Sequence, residues 1–119
     1  AACIDHTVLK PDNTLADIEQ LCREAMAYHF AAVCVPPLYV KMAVSLLKGS
    51  GVKTATVIGF PFGYSAIEAK LAEVVLAIVD GADELDIVIN IAAIKNNDWQ
   101  FIAGELNTIL PVVRNKGKI

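Results

Sequence analysis

Four times along this chain, an apolar segment of strand length is followed by a turn and then by a segment of helical period. That repetition limits the fold more than composition does. Strands that alternate with helices pair in parallel, joined by right-handed crossovers. The segments read as strands are CIDHTVL at 3–9, AAVCV at 31–35, KTATVI at 53–58 and ELDIVIN at 84–90. Thr14, with Asp17 three residues on, forms a capping box. The helix it starts is expected to run to about Tyr28, burying Ile18, Leu21, Cys22 and Ala25. A second helix is expected over roughly 39–48, stopping at Gly49-Ser50-Gly51. Ser65, with Glu68 three residues on, is expected to cap a third that ends near Gly81. Asn97 is expected to cap a fourth over about 98–114, with Pro111 kinking or shortening its last turns and Gly117 ending it.

Residues 1–119 read as a single domain without linkers. Two architectures fit: an open doubly wound sheet, or part of a (β/α) barrel. No G-x-G-x-x-G follows the first strand and no Walker A sequence is present, which weakens the nucleotide-binding form of the open sheet.

Composition then removes function classes. Over half of the chain is hydrophobic and 19% is charged, so an ordered core is expected. The net charge of −3, with no basic run, makes nucleic acid and anionic membrane poor partners. No apolar run approaches the ~20 residues of a membrane span. Three cysteines, Cys3, Cys22 and Cys34, form no disulfide framework, so a reducing cytoplasm is expected. No zinc-type spacing occurs and no metal is expected. The start at Ala1-Ala2-Cys3, without Met, points to a trimmed N-terminus.

Side chains on a strand alternate between faces. In ELDIVIN, Asp86, Val88 and Asn90 share one face and Leu85, Ile87 and Ile89 the other. A carboxylate on so apolar a strand needs a partner or a task. Sorting every strand by parity gathers a polar set: Asp5, Thr7, Cys34, Thr54, Thr56, Asp86 and Asn90. The opposite faces hold Ile4, Val8, Val33, Val35, Val57, Leu85, Ile87 and Ile89. The polar set reads as a barrel lining, with chemistry where strands run into the following loops.

Plain structural readings stand beside these. Asp86 can pair with a lysine or cap a loop, and Asp5 can anchor a turn. Cys34 can be a small buried hydrophobe. Thr7 and Thr56 can bond nearby backbone. His6, of opposite parity to Asp5, is expected to face helices in a structural role. Lys10, Lys70 and Lys95 follow strands and can reach a site, but most lysines are simply solvated.

Four blocks carry a resemblance: IDHTVLKP (4–11), AAVCVPP (31–37), ATVIGFPFG (55–63) and GADELDIVINIAAIKNNDW (81–99). Together, and in this order, they resemble the deoxyribose-phosphate aldolase family across nearly the whole chain. The resemblance implies an α/β fold, the (β/α)4 half of a TIM barrel with parallel strands. It implies cleavage of 2-deoxyribose 5-phosphate to acetaldehyde and glyceraldehyde 3-phosphate through a Schiff-base lysine, without metal or cofactor. Asp86 matches the aspartate that assists proton transfer. Asp5, Thr7 and Cys34 match substrate-contacting positions, and Asn90 a lining position that varies. Pro36, where many members have Asn, and Ala92-Ala93, in place of Gly-Ala, depart from the pattern.

The resemblance also places the imine-forming lysine on a sixth strand, in a Lys-Thr-Ser-Thr-Gly motif that this sequence lacks. The phosphate-binding loops lie in the same later half. The expectation is therefore an N-terminal half-barrel, inactive alone, with open edges at its first and fourth strands. Those edges call for a partner, either the missing half or a second copy in a homo-oligomer. A non-catalytic self-associating half-barrel, a phosphosugar-binding module and a flattened flavodoxin-like layer are the alternatives.

Overall fold

The structure is a computed structural model and describes residues 5–115. The expected stretches 1–4 and 116–119, including Cys3 and Gly117, lie outside the described residues. Four strands, β1 (Asp5–Thr7), β2 (Ala32–Val35), β3 (Lys53–Ile58) and β4 (Glu84–Ile87), pair in parallel in sequence order. Between them run α1 (Leu15–Tyr28), α2 (Val40–Leu47), which follows a 3-10 turn at Pro37–Tyr39, and α3 (Ile67–Val79). After β4 come α4 (Ile91–Lys95) and α5 (Trp99–Asn115).

Local chemistry explains α1. The Thr14 hydroxyl accepts from the Asp17 amide while the Asp17 carboxylate accepts from the Thr14 amide at 2.9 Å. The bond from the Thr14 amide foremost, then that from the Asn13 side chain and last that with the Thr14 hydroxyl, lower the Asp17 pKa below the ordinary carboxylate value. The helix buries Ile18, Leu21, Cys22 and Ala25, as their spacing predicts. It ends at His29, whose N–H still bonds the Ala25 carbonyl and whose left-handed φ of 55° turns the Phe30 N–H back to the same carbonyl at 3.0 Å.

Three expectations about helices are corrected. Ser65 does not cap α3, which begins at Ile67 after Ala66 with no side-chain cap. Asn97 takes a left-handed φ of 55° and leads into α5, whose Phe101 amide bonds the Asp98 carboxylate at 3.1 Å. Pro111 does not shorten α5, which runs on to Asn115. The loss of one backbone bond there is outweighed by packing, since Ile109 and Val113 flank the proline and both are buried.

The register corrects the sorting of faces as well. In a parallel ladder, residues in register share a face. Thr7, Cys34, Ala55 and Glu84 form one row, and Asp5, Ala32 and Lys53 another. Val57 pairs with Asp86 on that same face. The other face carries His6, Val33 and Thr54 in one row and Val35, Thr56 and Leu85 in the next. Thr54 and Thr56 therefore do not line the site and Val57 does. Both threonines lie under the helices, fully buried, and the Thr56 hydroxyl donates to the Val35 carbonyl at 2.7 Å. That bond to the neighbouring strand is what makes a polar side chain tolerable there.

Two apolar clusters follow, one on each face. The larger joins Val33, Val35 and Ile58 to the inner stripes of α1, α2, α3 and α5. Each such fully buried aliphatic side chain contributes about 1.5–3 kcal/mol. The smaller, Cys34, Ala55 and Val57 with Leu9, lies on the opposite face and floors the polar residues. Among the described residues no helix is long and apolar enough to cross a membrane.

Candidate functional site

The polar face of the sheet concentrates its chemistry toward the C-terminal ends of the strands. Cys34, on β2, is 4% exposed, and its Sγ donates to Asp86 Oδ2 on β4 at 3.9 Å. The contact spans β3. Adjacent strands lie about 4.8 Å apart, so β2 and β4 are separated by roughly 10 Å. Side chains standing upright on a flat sheet would not meet across that gap. They meet because this face is concave and because Ala55, in register with Cys34, is too short to stand between them. The flattened layer is thus disfavoured by the sheet's own geometry.

Burial, first of all, pushes the Cys34 thiol up to about 12 from its ordinary 9.0. The charges of Asp86 and Asp5, the hydrogen bond to Asp86 and the charge of Glu84 push the same way. Cys34 is therefore a thiol at neutral pH, a weak donor rather than a nucleophile. Asp86 itself is exposed. Among the described residues no cation pairs with it, in contrast to the buried Lys70–Glu105 pair. The structural reading of Asp86 as half of a salt bridge is not what the fold shows. Three carboxylates, Asp5, Glu84 and Asp86, act on one thiol and give this concave face a negative potential. No group of three or more potential metal ligands forms among the described residues.

The remaining residues sort clearly. Asp5 and Thr7 are exposed on the same face as Cys34, with Thr7 in register with it. Asn90 is drawn into structure: its side-chain oxygen accepts from the Ala93 amide at 3.2 Å and caps α4. Its amide NH2 is the part left for a ligand. His6 faces the helices, as its parity predicts, bonding Glu24 at 3.0 Å and lying against Phe30. Lys10 and Lys95 are exposed. Lys70 is not solvated: it is fully buried and ion-paired to Glu105 at 2.9 Å.

Sequence reasoning missed Glu105 and Val57, and misjudged Lys70. For the ion pair a signal existed. Lys70 falls on the stripe of Val74 and Ala77, and Glu105 on that of Ile102, Ile109 and Val113. A cation and an anion each holding a core position on separate helices is a pattern that asks for pairing.

Comparison with known proteins adds to this geometry. The family model described as DeoC/LacD family aldolase matches residues 1–110. A deoxyribose-phosphate aldolase of Thermoanaerobacter sp. (strain X514) is 45% identical over 119 residues, 100% of this chain and 53% of that protein. One from Clostridium perfringens (strain SM101 / Type A) is 47% identical over 116 residues, 98% of this chain and 52% of that protein. The structure of deoxyribose phosphate aldolase from Aeropyrum pernix, described as tetrameric, matches with a TM-score of 0.90 at 33% identity. That match covers 100% of this chain and 49% of the other. The chain spans about half the length of the curated relatives it matches.

Proposed function

Since the chain belongs to the DeoC/LacD family of aldolases, we propose that it is the first half of a deoxyribose-phosphate aldolase barrel. In this reading residues 1–119 form one (β/α)4 unit that supplies the acidic, thiol-bearing side of the active site. The substrate class is a small phosphorylated sugar, 2-deoxyribose 5-phosphate, cleaved to acetaldehyde and glyceraldehyde 3-phosphate. The observation that carries this reading is Asp86: a carboxylate on the concave face, in contact with a buried thiol and, among the described residues, paired with no cation.

Aldol cleavage needs an electron sink for the breaking C–C bond. A protonated imine supplies one, and the amine that forms it must be unprotonated and in reach of the carbonyl. Lys70 is sealed between helices by its own ion pair, so it is not that amine. The amine comes from the complementing strands. Asp86 faces it, moves protons between the carbon next to the imine, water and amine, and raises the local preference for positive charge. Cys34 holds Asp86 in place as a neutral donor. Asp5 and Thr7 hydrogen-bond the sugar, and Asn90 offers its amide NH2.

Completion requires strands laid parallel against β1 and β4, each of which has one strand neighbour among the described residues. A complementing half supplies both edges and the amine. A second copy, related by a two-fold axis along the barrel, supplies edges without the amine. The free thiols of Cys22 and Cys34 suit a reducing cytoplasm. Borohydride reduction with acetaldehyde, read by protein mass, tests the reading. The chain alone should give no specific adduct and no turnover. Co-expressed with the second half of the Thermoanaerobacter relative, it should restore both, and Asp86→Asn should then lower turnover by about 10²-fold or more. An adduct with turnover from the chain alone, or full activity in Asp86→Asn, would overturn it.

A further inference from the structure

Lys70 makes more contacts than an ion pair needs. Its Nζ donates to Glu105 Oε1 and to the Val88 carbonyl, each at 2.9 Å. Val88 lies two residues beyond Asp86, past the last residue of β4. The Val88 amide in turn donates to the Ile58 carbonyl at 2.9 Å. Gly59, which has no side chain, leaves space beside the lysine stem. A Cβ at Gly59 would stand 2.8 Å from Lys70 Cε.

We propose that Lys70 is a positioning residue for Asp86, a clamp that ties the C-terminal end of β4 to α3 and α5 through Val88 and Glu105. Stability alone does not explain the arrangement. Apolar side chains of similar volume usually serve a core as well as a buried ion pair does. This pair is also incompletely satisfied, because Glu105 Oε2 is buried without a hydrogen-bond partner among the described residues. What an apolar pair could not do is hold the Val88 carbonyl. β4 has no strand on its outer side among the described residues, so its end is otherwise held by the single Val88–Ile58 bond. Asp86 meets Cys34 at 3.9 Å, already the long end of a thiol bond, so a small slip of β4 breaks it.

The proposal rests on Asp86 as a site residue, but its test reads Cys34 and not turnover. Alkylation of Cys34, followed by peptide mass against pH, reports the carboxylate beside the thiol. In Lys70→Met/Glu105→Leu, which keeps the volume and removes both charges, the clamp is lost. Cys34 should then react about tenfold faster at pH 9, because each pKa step of one raises thiolate tenfold. Glu105→Gln keeps the Lys70–Val88 bond but leaves the lysine charge uncompensated, so it should be less stable than the double variant and yet, while folded by circular dichroism, alkylate more slowly at Cys34. An unchanged rate in a double variant with native circular dichroism overturns the proposal. Hydrogen exchange on the unmodified chain gives a readout that needs no variant to fold. The Val88 amide should exchange as slowly as the amides of central β3, and exchange at the rate of a frayed end overturns the clamp equally.

Discussion

The Lys70–Glu105 pair yields the sharpest energetic prediction. Both side chains are essentially inaccessible, at 0% and 1% exposure, and each is the other's charge partner. Removing one leaves an uncompensated buried charge, which costs about 3–5 kcal/mol. Domains of this size have about 5–15 kcal/mol in all. Lys70→Met or Glu105→Leu alone should therefore lose a large part of the fold's stability. With a urea m-value of roughly 2 kcal/mol/M, the midpoint should fall by about 2 M. The double variant removes both charges and leaves only the Val88 carbonyl without its donor, a loss of about 1 kcal/mol. The cycle should thus be strongly non-additive, with the double variant far more stable than either single. Equilibrium urea unfolding followed by far-UV circular dichroism measures all four species. Two single losses under 1 kcal/mol each, or a double loss equal to their sum, would show that the pair is not a buried, mutually dependent ion pair.

Two further outcomes follow from the same geometry. Gly63 has φ of 70°, and a Cβ there would collide with the Ile89 carbonyl, so Gly63→Ala should cost over 2 kcal/mol; differential scanning calorimetry should show a melting point lower by about 6 °C or more, and an unchanged one would contradict the packing of this loop. The folded state raises the Cys34 thiol to about 12, by burial foremost and then by Asp86 and Asp5, so the unfolded chain releases this proton first, near 9.0. The stability linked to Cys34 is therefore fully present below pH 9 and lost between about 9 and 12; urea unfolding at pH 8, 9 and 10 should show a steeper alkaline decline in the parent than in Cys34→Ala, and equal slopes would contradict the assignment.

Local signals were legible in the sequence. The box at Thr14 and Asp17, the four buried positions of α1 and the bounds of β3 all follow from spacing within a dozen residues. The (β/α) order and the parallel sheet follow from the repetition of units. The phase between strands was not legible. Alternation along KTATVI defines two faces but not which one turns inward, and that choice is set by pairing with β2 and β4. Treating threonine as polar put Thr54 and Thr56 in the site, whereas the Thr56 hydroxyl is satisfied by a neighbouring strand's carbonyl. α4, five residues long, is too short to show a period, and its one cue, Asn90, is equally good as a ligand-binding side chain. The meeting of Cys34 with Asp86 depends on curvature, a property of four strands together and of no single segment.

The strictly sequential order of the sheet has a consequence for how the chain comes into being. Each strand pairs with the one made just before it, so none must wait for a later segment or be threaded between two already in place. Assembly can proceed vectorially from the N-terminus, keeping pace with synthesis. At every stage the growing margin is the newest strand. Where β4 is the last to arrive, that margin is the strand bearing Asp86, poised beside whatever strand is laid down next.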